Sequence, residues 1–103
     1  MYAYKQFGNK FVLSIQNRTE ITEAVNAFVK EQNINTGSVY GIGMDGKPYL
    51  HLHITLGRSD YTALTGHLLT ANIHGACELM IEKLDGDVSR KYDDETGLNL
   101  YDL

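Results

Sequence analysis

The sequence has little cysteine, little proline and no long apolar run, and each shortage narrows what the chain can be. Cys77 is the only cysteine among 103 residues. No internal disulfide can form, and a reducing, cytoplasmic setting is expected. The single proline leaves no scope for a disordered Pro-rich tail. No apolar stretch approaches the ~20 residues of a membrane span. The segment MYAYKQFGNKFVLSI carries neither the apolar core nor the cleavage pattern of a signal peptide, so no membrane partner is expected and the Asn17-Arg18-Thr19 sequon is a chance match. Positive charge is scarce as well: nine Lys and Arg stand against thirteen Asp and Glu, for a net charge of −4. Asp85 to Leu103 holds Arg90 and Lys91 against six acidic residues, which leaves the remainder of the chain neutral. A basic stripe of the kind that drives association with a phosphate backbone is missing.

What is present is an ordinary globular composition, 43% hydrophobic and 21% charged, of a length that fits one domain spanning residues 1–103. Phe11 to Ile15 is a β-branched and aromatic run bounded by Gly8-Asn9 and Asn17, and predicts a strand. Thr19 can cap a helix in which Ile21, Ala24, Val25, Phe28 and Val29 share one face. The opposite face carries Glu20, Glu23, Asn26, Lys30 and Glu31, a solvated surface. A second strand is expected over 38–42. Residues 49–56 alternate strictly and predict the clearest strand, with Leu50, Leu52, Ile54 and Leu56 on one side and His51, His53 and Thr55 on the other. Cys77 to Leu84 is a further strand, and Asp85-Gly86 signals a hairpin into Val88–Tyr92. Strands outnumber helices, so the expected fold class is α+β, a mostly antiparallel β-sheet with one major α-helix.

The histidines carry the chemistry. His51 and His53 share a strand face by the two-residue period, so their imidazoles can converge on one cation while the leucines stay in the core. His67 follows Gly66, and a turn there would return it to the same place. Three neutral imidazoles with an open fourth position make a zinc arrangement of catalytic type. The alternative is a set of structural histidines bonded to backbone carbonyls. His74 lies in a stretch with no evident element. Glu78 is the carboxylate able to approach from a neighbouring strand, and Glu78 and Thr55 are the candidates to support the ligands from behind. Gly41 to Gly46 spells G-x-G-x-x-G, but Pro48 and a strand follow where a phosphate-binding helix would have to begin, so the match is rejected. Cys77, with no adjacent base, is expected to act as a small buried hydrophobe. Asp93-Asp94-Glu95 lacks the ligand spacing of a calcium loop and is a solvated turn.

The run Gly46-Lys47-Pro48-Tyr49-Leu50-His51-Leu52-His53-Ile54-Thr55-Leu56-Gly57 resembles the PPC (plants and prokaryotes conserved) domain family. Gly66-His67-Leu68-Leu69 is similar to that family's G-G-H-L segment, with Thr65 in place of its first glycine. The likeness extends to Tyr4-Lys5-Gln6-Phe7-Gly8, Gly37-Ser38-Val39 and Asp94-Glu95-Thr96-Gly97-Leu98-Asn99. The resemblance implies a PPC-like α+β fold assembled as a homotrimer, with His51, His53 and His67 in the positions of the family's metal-gathering histidines. Family members carry further strands between the Gly-x-Gly segment and Gly-Lys-Pro. Here the two almost abut, so the segment between Gly43 and Gly46 is shortened or missing. A missing stretch is favoured over a true deletion, because lost strands would expose core that so small a chain can hardly cover. In plants the domain follows AT-hooks in nuclear DNA-binding proteins, but no Arg-Gly-Arg-Pro core occurs in this sequence.

The expected function is therefore a homotrimeric, DNA-binding or transcription-associated module with a His-based metal site, zinc by preference, whose DNA affinity is weak because its charge is unfavourable. Two alternatives belong to other classes: a zinc-dependent enzyme of hydrolysis or hydration, and a small-ligand binding module.

Overall fold

Alternating side chains build the first sheet. The computed structural model describes residues 1–34, 40–42 and 48–103. Strand β1 (Tyr2–Phe7) turns through Gly8 and Asn9 into β2 (Lys10–Ile15), with Gly8 supplying the positive φ of +61° that the turn requires. β2 pairs on its other side with β7 (Cys77–Glu82), giving an antiparallel sheet in the order β1-β2-β7. Along β2 every second residue is buried, so Phe11, Leu13 and Ile15 face one way, and Ile81 of β7 stands beside Phe11.

Helix α1 (Ile21–Glu31) covers that face. Ala24, Val25, Phe28 and Val29 are buried as their spacing predicts, and with Phe11, Leu13, Ile15, Ile34 and Ile81 they form the core. The ring of Phe28 meets Phe11 and Tyr4 at centroid distances of 5.2 Å and Tyr2 at 5.5 Å, in edge-on arrangements that suit the ring quadrupole. Strand β1 was not expected from the sequence. It is an edge strand with only Tyr2 half-buried, and its polar Lys5 and Gln6 hide the alternation. Its tyrosines nevertheless reach the helix: the Tyr2 hydroxyl donates to Glu31 and Gln32 donates to the Tyr4 hydroxyl.

The remaining strands form antiparallel pairs. β3 (Tyr40–Ile42) pairs with β4 (Pro48–Leu50), β5 (Leu52–Gly57) with β6 (Ala63–Leu68), and β8 (Ser89–Asp93) with β9 (Leu98–Asp102). The strand expected over 49–56 is thus two strands broken at His51. A turn does form just after Gly57, as its sequence suggests, where the Arg58 and Thr62 backbones close the β5–β6 hairpin, but the turn expected at Gly66 is absent because Gly66 lies within β6. Asp85-Gly86 does not join a β7–β8 hairpin, because β7 is paired to β2 and β8 to β9. The stretch between Gly43 and Gly46 lies outside the described residues. No helix among the described residues is long and apolar enough to cross a membrane.

The helix start is where the parts are tied together. Glu20, not Thr19, is the cap: its Oε2 accepts from the Glu23 amide at 2.8 Å and from the Thr22 hydroxyl. Its Oε1 accepts from the Ala71 amide at 2.9 Å, and the Ile21 amide donates to the Ala71 carbonyl at 2.9 Å. The segment after β6 is thereby pinned to the first turn of α1. Desolvation pushes the Glu20 carboxyl up, but the bonds from Thr22, Ala71 and Glu23 outweigh it and hold its pKa at about 2. Their stabilisation is complete above the usual value of 4.5 and is lost as pH falls from there towards about 2. We expect Glu20→Ala to cost ~1 kcal/mol at neutral pH, the usual worth of a cap. It should also flatten the acid-side decline in stability, as measured by denaturant unfolding across that range. An acid profile identical to that of the unsubstituted protein would refute the assignment.

Candidate metal centre

The β5–β6 register places His53 directly opposite His67. Side chains of such a cross-strand pair stand on one face of the ribbon, and the two imidazole centroids are 4.5 Å apart. Gly66 sits within β6 opposite Ile54, so a neighbouring strand, not a turn, delivers His67. His51 arrives from the break between β4 and β5. Two residues along a regular strand span roughly 6.6 Å, yet His51 Nε2 lies only 3.1 Å from His53 Nε2 and 3.2 Å from His67 Nδ1. Its ring is stacked on that of His67 with planes 3° apart and centroids separated by 4.9 Å. Leaving the ladder is what frees His51 to lean across the pair.

The donor atoms of all three lie within 4.8 Å of one another, and the three residues are solvent-exposed. A tetrahedral zinc ion with Zn–N bonds of ~2.0–2.1 Å sets its ligand nitrogens roughly 3.3 Å apart. The two close separations match that requirement. Neutral imidazoles are also what a metal needs, since only they offer a lone pair. The His51 pKa is depressed, first by desolvation and then by the charges of His53, His67 and Arg90. Three donors leave a tetrahedral ion one open position, the arrangement in which a further ligand can bind.

The other residues singled out in the sequence fall elsewhere. Thr55 is on β5 opposite Thr65, and its hydroxyl donates to the Thr65 hydroxyl at 3.3 Å. By the strand period it shares the face of His53 one pair along the ribbon. Glu78 pairs with Ser14 on the exposed face of the first sheet, beside Lys5 and Val12. Its neighbours Cys77 and Leu79 face the side of the ribbon, so the structure does not bring Glu78 to the triad. His74 is exposed in the β6–β7 connection and stands outside the cluster. Cys77 is half-buried, and burial pushes its thiol pKa up, as suits a small hydrophobe. Asp93 accepts from the amide and hydroxyl of Thr96 at the β8–β9 turn, so the acidic run is a turn, as expected. Arg90 was not foreseen. Its Nη1 donates to the Asn99 carbonyl at 2.8 Å and its guanidinium lies 4.7 Å from the centre of the Tyr101 ring, near enough to His51 to act on its charge.

This ribbon has a counterpart in known proteins. The Plants and Prokaryotes Conserved (PCC) domain model matches residues 44–85, which include all three histidines. A solved structure described as a "putative DNA-binding protein" from Bacteroides thetaiotaomicron is 42% identical, covers 99% of this chain and 97% of its own, and superposes with a TM-score of 0.87. The chain belongs to the PCC domain family. The PCC fold recurs at low identity. A plant- and prokaryote-conserved (PPC) protein from Pyrococcus horikoshii is 16% identical with a TM-score of 0.72, covering 100% of this chain and 95% of its own. A metal-containing protein from Archaeoglobus fulgidus is 20% identical with a TM-score of 0.76, covering 98% and 99%. No curated protein matches the chain.

Replacing any one of His51, His53 and His67 by alanine is expected to abolish stoichiometric zinc, whereas His74→Ala leaves it in place. Metal analysis of the purified, untagged variants measures this, with the zinc-dependent rise in melting temperature as a second readout. Zinc retained by His53→Ala would refute the triad as the ligand set.

Proposed function

We propose that this PCC domain is a homotrimeric, cytoplasmic module that carries one metal ion, zinc by preference, on His51, His53 and His67 of each protomer and associates with DNA only weakly. The observation that carries the proposal is the approach of three imidazole donors within 4.8 Å on one exposed ribbon face. Unliganded imidazoles gain little from such crowding, because protonating any one of them disfavours protonating the others. A shared cation removes that conflict. Imidazole donors suit zinc among the common divalent ions, and a bound zinc ion supplies a Lewis acid at its open position. The Archaeoglobus fulgidus protein described as metal-containing is in keeping with this reading.

Trimer formation is supported by what the single chain leaves uncovered. Leu56 and Leu64, directly paired on β5 and β6, are 52% and 56% exposed, and Met80 on β7 is 66% exposed. Several apolar side chains of β8 and β9, including Tyr92, Leu98, Leu100 and Tyr101, are exposed too. A cyclic assembly would bury such surfaces together with the strand edges that carry them. DNA association is suggested by the description of the 42%-identical relative. Electrostatics limits it: the net charge is −4, and the described cations are spread over separate elements, from Lys5 on β1 to Lys30 on α1 and Arg58 at the hairpin tip.

Two measurements test the proposal. Size exclusion with light scattering should give a mass of three times the 11.5 kDa chain, and a stable monomer at micromolar concentration would overturn the trimer. Titration of labelled duplex DNA at physiological salt should give dissociation constants of ~10⁻⁴ M or weaker, the non-specific range. Nanomolar, salt-tolerant binding would contradict the weak association proposed.

A further inference from the structure

Alternation gives the β5–β6 ribbon two faces. His53 and His67 stand on one with their imidazoles exposed, and Leu52, Ile54 and Leu68 stand on the other. The aliphatic face looks towards α1 and β7 without packing flush on them. A cavity of about 470 Å³ lies between, within the range of roughly 300–1,000 Å³ typical of small-molecule sites. Helix α1 contributes Ile21 and Val25 to its wall, and β7 contributes Cys77 and Leu79. His51 and His53 border it as well, but the His53 imidazole turns to the far face, where it meets His67. Among the described residues that line the cavity, none is a Lys, Arg, Asp or Glu.

Two features keep this space from closing. Ala71 bonds to Glu20 and Ile21, which fixes the segment after β6 at the start of α1. Gly66 stands opposite Ile54 on the aliphatic face, and a Cβ added there would meet nothing within 4 Å, so this position is a notch in the ribbon. Ile21, Leu52, Ile54, Leu68 and Leu79 are left half-buried around the cavity. Half-wetted hydrocarbon gains from an apolar guest, whereas a wall that holds no charged partner penalises a charged one. Enclosure by a helix, a sheet and a ribbon of the same chain suits a small molecule, not the flat face of a second protein. We propose that the cavity is a binding site for an uncharged, hydrocarbon-rich small molecule, a medium-chain aliphatic alcohol being the simplest example, held on the side of the ribbon away from the histidines. The site does not depend on the metal reading.

The test is calorimetric titration of 1-butanol, 1-hexanol and hexanoate into the full chain, both with zinc and after chelation. Each buried methylene converts to about fourfold in affinity, so 1-hexanol should bind roughly fifteenfold tighter than 1-butanol. Hexanoate, with the same number of carbons but a charge, should bind at least about tenfold more weakly than 1-hexanol. Both results are expected with or without zinc, so a protein that takes up no zinc would overturn the metal reading and leave this inference standing. Gly66→Ile should fill the notch and lower the affinity for 1-hexanol by about tenfold, without lowering the melting temperature, because a β-branched residue replaces glycine in a strand. Leu79→Phe, from the sheet, should weaken 1-hexanol in the same direction. A further measurement needs no variant: 1-hexanol, and not hexanoate, should slow modification of Cys77 by a small thiol reagent. Affinities independent of chain length, hexanoate binding as tightly as 1-hexanol, or unchanged 1-hexanol affinity in both variants would each overturn the inference. A Cys77 that is unreactive with or without 1-hexanol would mean that a second copy of the chain closes the cavity, and would overturn it too.

Discussion

Slipping β6 by one residue along β5 would turn His67 to the opposite face of the ribbon and leave His53 facing leucine or glycine in its place. The register of this one hairpin is therefore the constraint on which the candidate centre depends. Three things hold it. The Arg58–Thr62 backbone contacts close the turn, Thr55 bonds to Thr65 midway, and the segment beyond β6 is fastened to the start of α1 through Ala71. The last of these links the ribbon to the core. Glu20 caps the helix with one carboxylate oxygen and holds the β6–β7 connection with the other, so a single side chain sets the helix start and the end of the ribbon together.

The packing of the first sheet explains why that fastening is needed. The core lies under β2, β7 and α1, and its fully buried members come from these elements together with Ile34. The ribbon adds only half-buried Leu52, Ile54 and Leu68, which are too few to anchor it by hydrophobic contact alone. Hydrogen bonds of Ala71 to Glu20 and Ile21 tie the segment after the ribbon to the start of α1, and an apolar cavity lies beneath the ribbon. A loosely backed ribbon carrying an exposed triad is a reasonable way to present a metal to a ligand, since sites that must admit other molecules are drawn from the less tightly packed parts of a fold.

Electrostatics gives the same face its character. The body of the chain is neutral and the acidic excess lies towards the C-terminal end, while Arg90, from that same end, is one of the charges that depress the His51 pKa. The acidic turn after β8 is occupied with its own contacts, because Asp93 is engaged by Thr96. With a net charge of −4 and its cations spread over separate elements, the protein offers little to a phosphate polymer.

Periodicity made much of this legible from the sequence alone, because it depends only on local backbone geometry. The helix face of Ala24, Val25, Phe28 and Val29, the buried side of β2 and the α+β class all follow from spacings of 3.6 or 2 residues. Histidine type and the two-residue spacing singled out His51 and His53, whereas His67 was joined to them by an expected turn at Gly66 and by the resemblance to the PPC family. Pairing is where local information ends. Which strand delivers His67, where the alternating run breaks, that β7 joins β2 and not β8, and that Glu78 lies on the far face of the first sheet are settled by contacts between residues far apart in the chain. Tertiary structure decided these points because a strand's partner and register are chosen by the burial and hydrogen bonding of the assembled sheet, and the strand's own residues specify only which of them share a face.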